Sequence, residues 1–179
     1  MAESGALVHE LRAGFLEGVL SSYQSYLGSL LDIETIIRYE PGWDPSDSLS
    51  DVLNSGWMED AARGFTGKGP HRADLDFRVE GVKAERVLSR GESKLFVFAV
   101  MLAQAAHLQE ATGRTPVVLV DELASELDDE RRQRVFSALS DMKTQTLVTA
   151  VSRDLVETPA WLPEKLFHVE QGSIQEVLQ

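Results

Sequence analysis

Val117-Val118-Leu119-Val120-Asp121-Glu122 is a continuous apolar run that follows Pro116 and ends in two adjacent acids, and it decides the fold. Four consecutive aliphatic residues behind a proline predict a strand buried on both faces, the habit of parallel sheets covered by helices. Downstream, Asp128 is placed to cap a helix running through Ser140, with Val135, Phe136 and Leu139 on its inner face. Thr146 to Val151 then predicts the next buried strand, and Leu166 to Val169, Gln171-Gly172 and Ile174 to Leu178 predict a closing hairpin. Strand, helix and strand in this order define an α/β fold with a parallel sheet.

Upstream of the strand, Glu92 to Ala111 is apolar on nearly every side and predicts a buried helix stopped by Thr112-Gly113. Further back, Leu7, Leu11, Phe15, Val19, Tyr23, Leu27 and Leu31 recur at every fourth position, so one long amphipathic helix is expected. Gly5, Gly14, Gly18 and Gly28 weaken it by about 1 kcal/mol each relative to alanine, so it needs a packing partner. Ile33 to Glu40, closed by Pro41-Gly42, predicts a strand, Ser48 to Arg63 a second helix, and Leu75, Phe77 and Val79 a half-buried strand ending at Gly81. No internal repeat is evident. Two parts are expected: residues 1–64, largely helical with one strand, and residues 65–179, of α/β character.

Composition excludes several classes. The 179 residues are 43% apolar and 26% charged, enough for a real core. No cysteine is present, which removes disulfides, thiolate metal sites and cysteine nucleophiles. The longest apolar stretch, Leu95 to Ala103, is far short of the roughly 20 residues that span a bilayer, and Met1 to Glu10 lacks the basic-then-apolar order of a signal peptide. A cytoplasmic location with no membrane partner is expected. The net charge of -12 argues against a general nucleic-acid coat, but residues 1–63 hold eleven acids against Arg12, Arg38 and Arg63, and the remainder is nearly balanced. One stretch leans basic, Lys68, Arg72, Arg78, Lys83, Arg86, Arg90 and Lys94, and its plain reading is a mixed solvated surface.

Three groups of residues carry the chemistry. An acid beyond the carboxyl end of a parallel strand sits where α/β folds bind ligands, so Asp121 could hold Mg²⁺ and Glu122 could orient an attacking water. The bland alternative is a turn and a helix cap. Leu88-Ser89-Arg90-Gly91-Glu92 leads into the apolar helix, whose free N–H groups would attract an anion. Equally, Ser89 with Glu92 three residues on spells a capping box. Ser125-Glu126-Leu127-Asp128 either begins the next helix or belongs to a ligand site.

The spacing of the three together resembles the ABC-type ATPases. Asp121-Glu122 is similar to their Walker B pair, Leu127-Asp128 to the D-loop and Ser89-Arg90-Gly91-Glu92 to the signature motif. Within that superfamily the chain resembles the C-terminal part of the RecF family from about Ile33 onward. Gly69-Pro70-His71-Arg72-Ala73-Asp74-Leu75 and Asp128-Asp129-Glu130-Arg131-Arg132 are similar to segments of that family, and the long helix to its arm. The resemblance implies a DNA replication and repair protein that binds ATP and Mg²⁺, dimerises on ATP, binds DNA at single-strand/double-strand junctions, and works with recombination mediator proteins in gap repair and the SOS response. It also implies roles: Asp121 for metal, Glu122 for catalysis, and Ser89, Arg90, Gly91, Glu92 and Asp128 for the ATP of a partner head.

Departures accompany the likeness. No P-loop is present: in Gly64-Phe65-Thr66-Gly67-Lys68-Gly69 the glycines are too close, and Gly69 stands where a metal-binding Ser or Thr belongs. Glu92 stands where the family commonly has Gln, and Ser152-Arg153 where ABC transporters carry a histidine. The chain by itself is therefore expected to be inactive. The histidines His9, His71, His107 and His168 share no metal-ligand spacing, and Trp43, Trp57 and Trp161 are expected as core or turn anchors. A protein-interaction module without catalysis, and part of another SMC-like repair ATPase, are the alternatives.

Overall fold

The computed structural model describes residues 1–122, 126–161 and 163–177. They form two compact units, residues 1–107 and 108–179.

The first unit is built on helix α1 (Ala2–Leu30), the long helix that the four-residue spacing predicts. Its C-terminal half buries Val19, Tyr23, Leu27 and Leu30. Tyr23 packs with helix α4 (Arg90–Thr112), which buries Leu95, Phe96, Phe98, Ala99, Leu102 and Ala103. Phe96 is the pivot: its ring meets Tyr23 edge-on at 5.9 Å and Phe77 at 5.0 Å. Full burial of a side chain of this size stabilises by about 1.5–3 kcal/mol. The Tyr23 hydroxyl shares a 2.9 Å hydrogen bond with Thr35 Oγ1, so burying both hydroxyls leaves neither unsatisfied. Burial nevertheless pushes the Tyr23 phenol up to about 12, with the Thr35 hydrogen bond opposing the shift.

Strand β1 (Thr35–Glu40) pairs antiparallel with β2 (Asp74–Val79), which turns through Glu80-Gly81 into the two-residue strand β3 (Val82–Lys83). Both turn residues have positive φ, 49° and 82°, the type I′ geometry that matches strand twist. This pairing ties the strand near the N-terminus to the segment after residue 65, so the expected boundary at 64/65 falls within one packed unit. Helix α2 (Leu49–Arg63) begins at Ser48, whose hydroxyl accepts from Asp51 N–H, and stops at Gly64 with φ 79°. A one-turn helix, α3 (Ala84–Val87), leads to α4.

The second unit contains the predicted β–α–β order. Strand β4 (Val117–Val120), helix α5 (Asp129–Asp141) and strand β5 (Gln145–Val148) place β4 and β5 parallel, with Val120 opposite Val148. Val135, Phe136 and Leu139 of α5 are buried as the pattern requires, and Phe136 meets Trp161 at 5.6 Å. Strands β6 (Leu166–Glu170) and β7 (Ser173–Val177) close as a hairpin through Gln171-Gly172; Leu178 lies outside the described residues.

Burial differs from expectation at four places. β4 is not buried on both faces: Val120 is, but Leu119 is 72% and Val117 54% exposed. Side chains alternate along a strand, so Val117 and Leu119 lie on the face opposite Val120, and with Leu147, paired to Leu119, they form a face of the two-stranded sheet that stays exposed. α4 is buried on one side, with Val97 and Met101 exposed; it is the one described helix long and apolar enough to cross a membrane, yet its inner face is a protein core. The α1 stripe is likewise exposed at Leu7, Leu11 and Phe15, and Trp57, at 68% exposure, anchors no core.

Candidate functional site

At the carboxyl end of β4 the parallel ladder continues for one more bond, from Thr149 N–H to Val120 O at 2.9 Å. That register sets residue 149 beside the acid pair. The Thr149 hydroxyl donates to Asp121 Oδ1 at 2.5 Å and accepts from the Glu122 backbone N–H at 3.0 Å. Asp121 has no other hydrogen-bond partner among the described residues. Glu122 has φ 52°, a left-handed backbone that costs a side-chain-bearing residue of order 1 kcal/mol and collects at functional sites. Both acids are exposed to solvent. Sequence reasoning placed the two carboxylates and missed Thr149, which it counted as one more strand residue.

Could Asp121 hold Mg²⁺? No group of three or more metal-ligating side chains exists among the described residues, so the chain offers no all-protein cage. Mg²⁺ does not require one: it keeps several waters and takes one or two carboxylates plus substrate phosphates. A hard carboxylate with one oxygen steadied and the other free of described partners fits that role.

Further along, Asp128 caps α5, its Oδ1 accepting from Arg131 N–H at 2.9 Å. Arg132 reaches back to the same turn, donating from Nη1 to Leu127 O at 3.4 Å and from Nη2 to Asp129 Oδ1. The acid-basic run is thus partly a local brace for the Leu127-Asp128 backbone. Ser125 lies outside the described residues. Arg153, where transport ATPases carry a histidine, pairs with Glu157 at 2.7 Å.

In the first unit, Ser89, Arg90, Gly91 and Glu92 form the entry to α4. Ser89 N–H and Ser89 Oγ both donate to Glu92 Oε2, at 2.8 and 2.7 Å, while Glu92 N–H donates back to Ser89 Oγ at 3.3 Å. This is a complete capping box, with a carboxylate at the positive end of the helix dipole. In this arrangement the Ser89 hydroxyl gives its proton to Glu92, and meeting a phosphate would require exchanging that bond.

The Gly69-Pro70-His71-Arg72 segment is a 3₁₀ turn fixed from three sides. Arg12 Nη1 donates to Pro70 O at 2.6 Å, Gly69 N–H donates to Gly42 O at 3.1 Å, and His71 Nε2 meets Thr66 O at 2.8 Å. Gly42 is required there: its φ is 93°, and a Cβ would lie 2.2 Å from Gly69 O. Arg72 rests over the Phe65 ring at 5.4 Å, and Arg78 donates to Asp76 at 2.6 Å, so part of the basic stretch is spent locally. His107 packs edge-on against Phe15 at 5.3 Å and His9 stacks on Tyr39 at 5.6 Å. Trp43 meets the same His9 ring at 5.2 Å, a turn anchor as expected.

The fold is that of a partial ABC-type ATPase head, and residues 16–175 match the RecF/RecN/SMC N terminal domain family, to which the chain belongs. Within it, the similar curated proteins are DNA replication and repair proteins RecF. The one from Thioalkalivibrio sulfidiphilus (strain HL-EbGR7) is 36% identical over 176 residues, 98% of this chain and 49% of its own length. The one from Shewanella halifaxensis (strain HAW-EB4) is 36% identical over 169 residues, 93% of this chain and 46% of its own. The chain thus spans about half the length of the curated relatives it matches. Among solved structures, that of the recombination mediator protein RecF with ATP, from the RecFOR pathway, superposes with a TM-score of 0.76 at 22% identity, covering 99% of this chain and 48% of that one.

Proposed function

We propose that the chain is the C-terminal part of a RecF-type ATPase head, acting in DNA replication and recombinational repair once the phosphate-binding half is supplied. The observation that carries this reading is the acid pair at the carboxyl end of a parallel strand, in a chain of the RecF/RecN/SMC family. In the whole protein Asp121 would hold Mg²⁺ and Glu122 would orient water toward the γ-phosphate. Mg²⁺ there would neutralise charge on the phosphate oxygens. Ser89, Arg90, Gly91, Glu92 and Asp128 would face the ATP of a second head, so that nucleotide and dimer form together. Engagement of single-strand/double-strand DNA junctions, cooperation with recombination mediators and a part in the SOS response belong to the same proposal, as does a cytoplasmic location.

The test uses the chain alone. Incubated with ATP and Mg²⁺, the 179 residues should release no phosphate above background, because no loop holds the phosphates. Mg²⁺-dependent turnover that is lost in Glu122→Gln would overturn the division of labour proposed here. The capping box favours a second reading, a module that keeps the fold and acts only through protein partners. Under that reading nucleotide has no effect on the assembly even when the other half is restored.

A further inference from the structure

We propose that Thr149 is the positioning residue of the acid pair, a side-chain clamp that sets the Asp121 carboxylate and the Glu122 backbone in one arrangement. The inference rests on the reading of Asp121 as a metal-holding residue given above.

The geometry follows from register. β4 and β5 run parallel and in step to Val120 and Val148, so the next residues on the two strands emerge side by side beyond the ladder. At that place a hydroxyl has one proton to give and lone pairs to receive with, and Thr149 uses both: it donates to Asp121 Oδ1 and accepts from Glu122 N–H. Its own N–H is fixed on Val120 O, so the clamp is anchored to the strand that carries the acids. The β-branched side chain has few χ1 wells, which keeps the hydroxyl from swinging away into solvent. Two consequences follow. One carboxylate oxygen is held, which limits rotation of the group and presents Oδ2 as the atom available to a ligand. The left-handed turn at Glu122, unfavourable by itself, gains a partner for its N–H that a misplaced backbone would lose. Serine could make both bonds, while valine has the same shape and can make neither.

The experiment is amide exchange by NMR on the full 179-residue chain, with Mn²⁺ alone as the metal probe. Thr149→Val should speed exchange of the Glu122 amide about tenfold, the worth of one net hydrogen bond. It should also weaken the Mn²⁺ broadening of resonances around Asp121 by about tenfold in concentration, the usual effect of losing a group that orients a ligand. Thr149→Ser should restore both, and methyl spectra of the β4–β5 pair should be unchanged in both variants. If Thr149→Val leaves Glu122 exchange and the Mn²⁺ midpoint as in wild type, the clamp is refuted. If wild type shows no Mn²⁺ broadening that Asp121→Asn removes, the metal reading of Asp121 is what fails, and the exchange measurement alone then decides the clamp.

Discussion

Replacing Glu92 by glutamine separates two things that the same side chain does at the start of α4. Glu92 Oε2 receives two bonds from Ser89, and its charge lies at the positive end of a 23-residue helix. Glutamine keeps an oxygen that can accept both bonds and removes only the charge. The charge–dipole contribution is about 0.3–1 kcal/mol at an exposed helix end and is screened by salt. Loss of the cap itself costs about 0.5–2 kcal/mol, typically near 1. Glu92→Gln should therefore destabilise the chain by about 0.5 kcal/mol at low salt and by almost nothing at high salt. Glu92→Ala and Ser89→Ala should each cost about 1–2 kcal/mol at either salt, since both remove the box. Urea unfolding at neutral pH, read from the midpoint at constant slope, measures all three. If glutamine costs as much as alanine, or Ser89→Ala is neutral, the capping box does not stabilise α4 and the assignment of these residues to the cap is wrong.

Other outcomes follow from packing. Gly14→Ala should stabilise α1 by about 0.5–1 kcal/mol, since nothing lies within 4 Å of the new methyl. The same change at Gly18 should forfeit that gain, because its Cβ would fall 2.1 Å from His107 Cε1 and displace the ring; thermal melts of the pair check the difference in sign. Gly42→Ala should cost on the order of 2 kcal/mol or more, from its left-handed φ and the collision with Gly69 O, and should loosen the Pro70 turn in hydrogen exchange. Tyr23, raised to about 12 when folded, keeps its proton after an unfolded tyrosine has lost it. Its contribution is thus complete below pH ~10 and is lost as pH climbs toward ~12, at most about 3 kcal/mol. Tyr23→Phe should flatten that alkaline decline in urea midpoints.

How much of this could be read beforehand differs from residue to residue. Ser48 and Gly64 mark the ends of α2 because caps act locally, and Ser89 with Glu92 spells its box for the same reason. β3 and α3, of two and four residues, carry no periodicity to detect. Val117 to Val120 correctly predicts a strand, but apolarity reports what a strand needs covered and not whether this chain covers it; Leu119 is left open. Asp121 and Glu122 were legible because they end that strand. Thr149 was not, because its part depends on the register between two strands separated by a helix, and no local pattern encodes register. The brace from Arg132 to Leu127 O was hidden for a similar reason, in a run that reads as alternating surface charge.

Under the proposed function Asp121 and Glu122 belong to a nucleotide site completed by a second half and a second head. Joining a P-loop-bearing segment of a RecF relative ahead of this chain, with Glu122→Gln introduced, and measuring mass by light scattering tests it directly. A dimer that appears only with ATP and Mg²⁺, and is lost on Asp121→Asn, is the predicted result. A mass that ignores nucleotide in the folded, joined protein would contradict it.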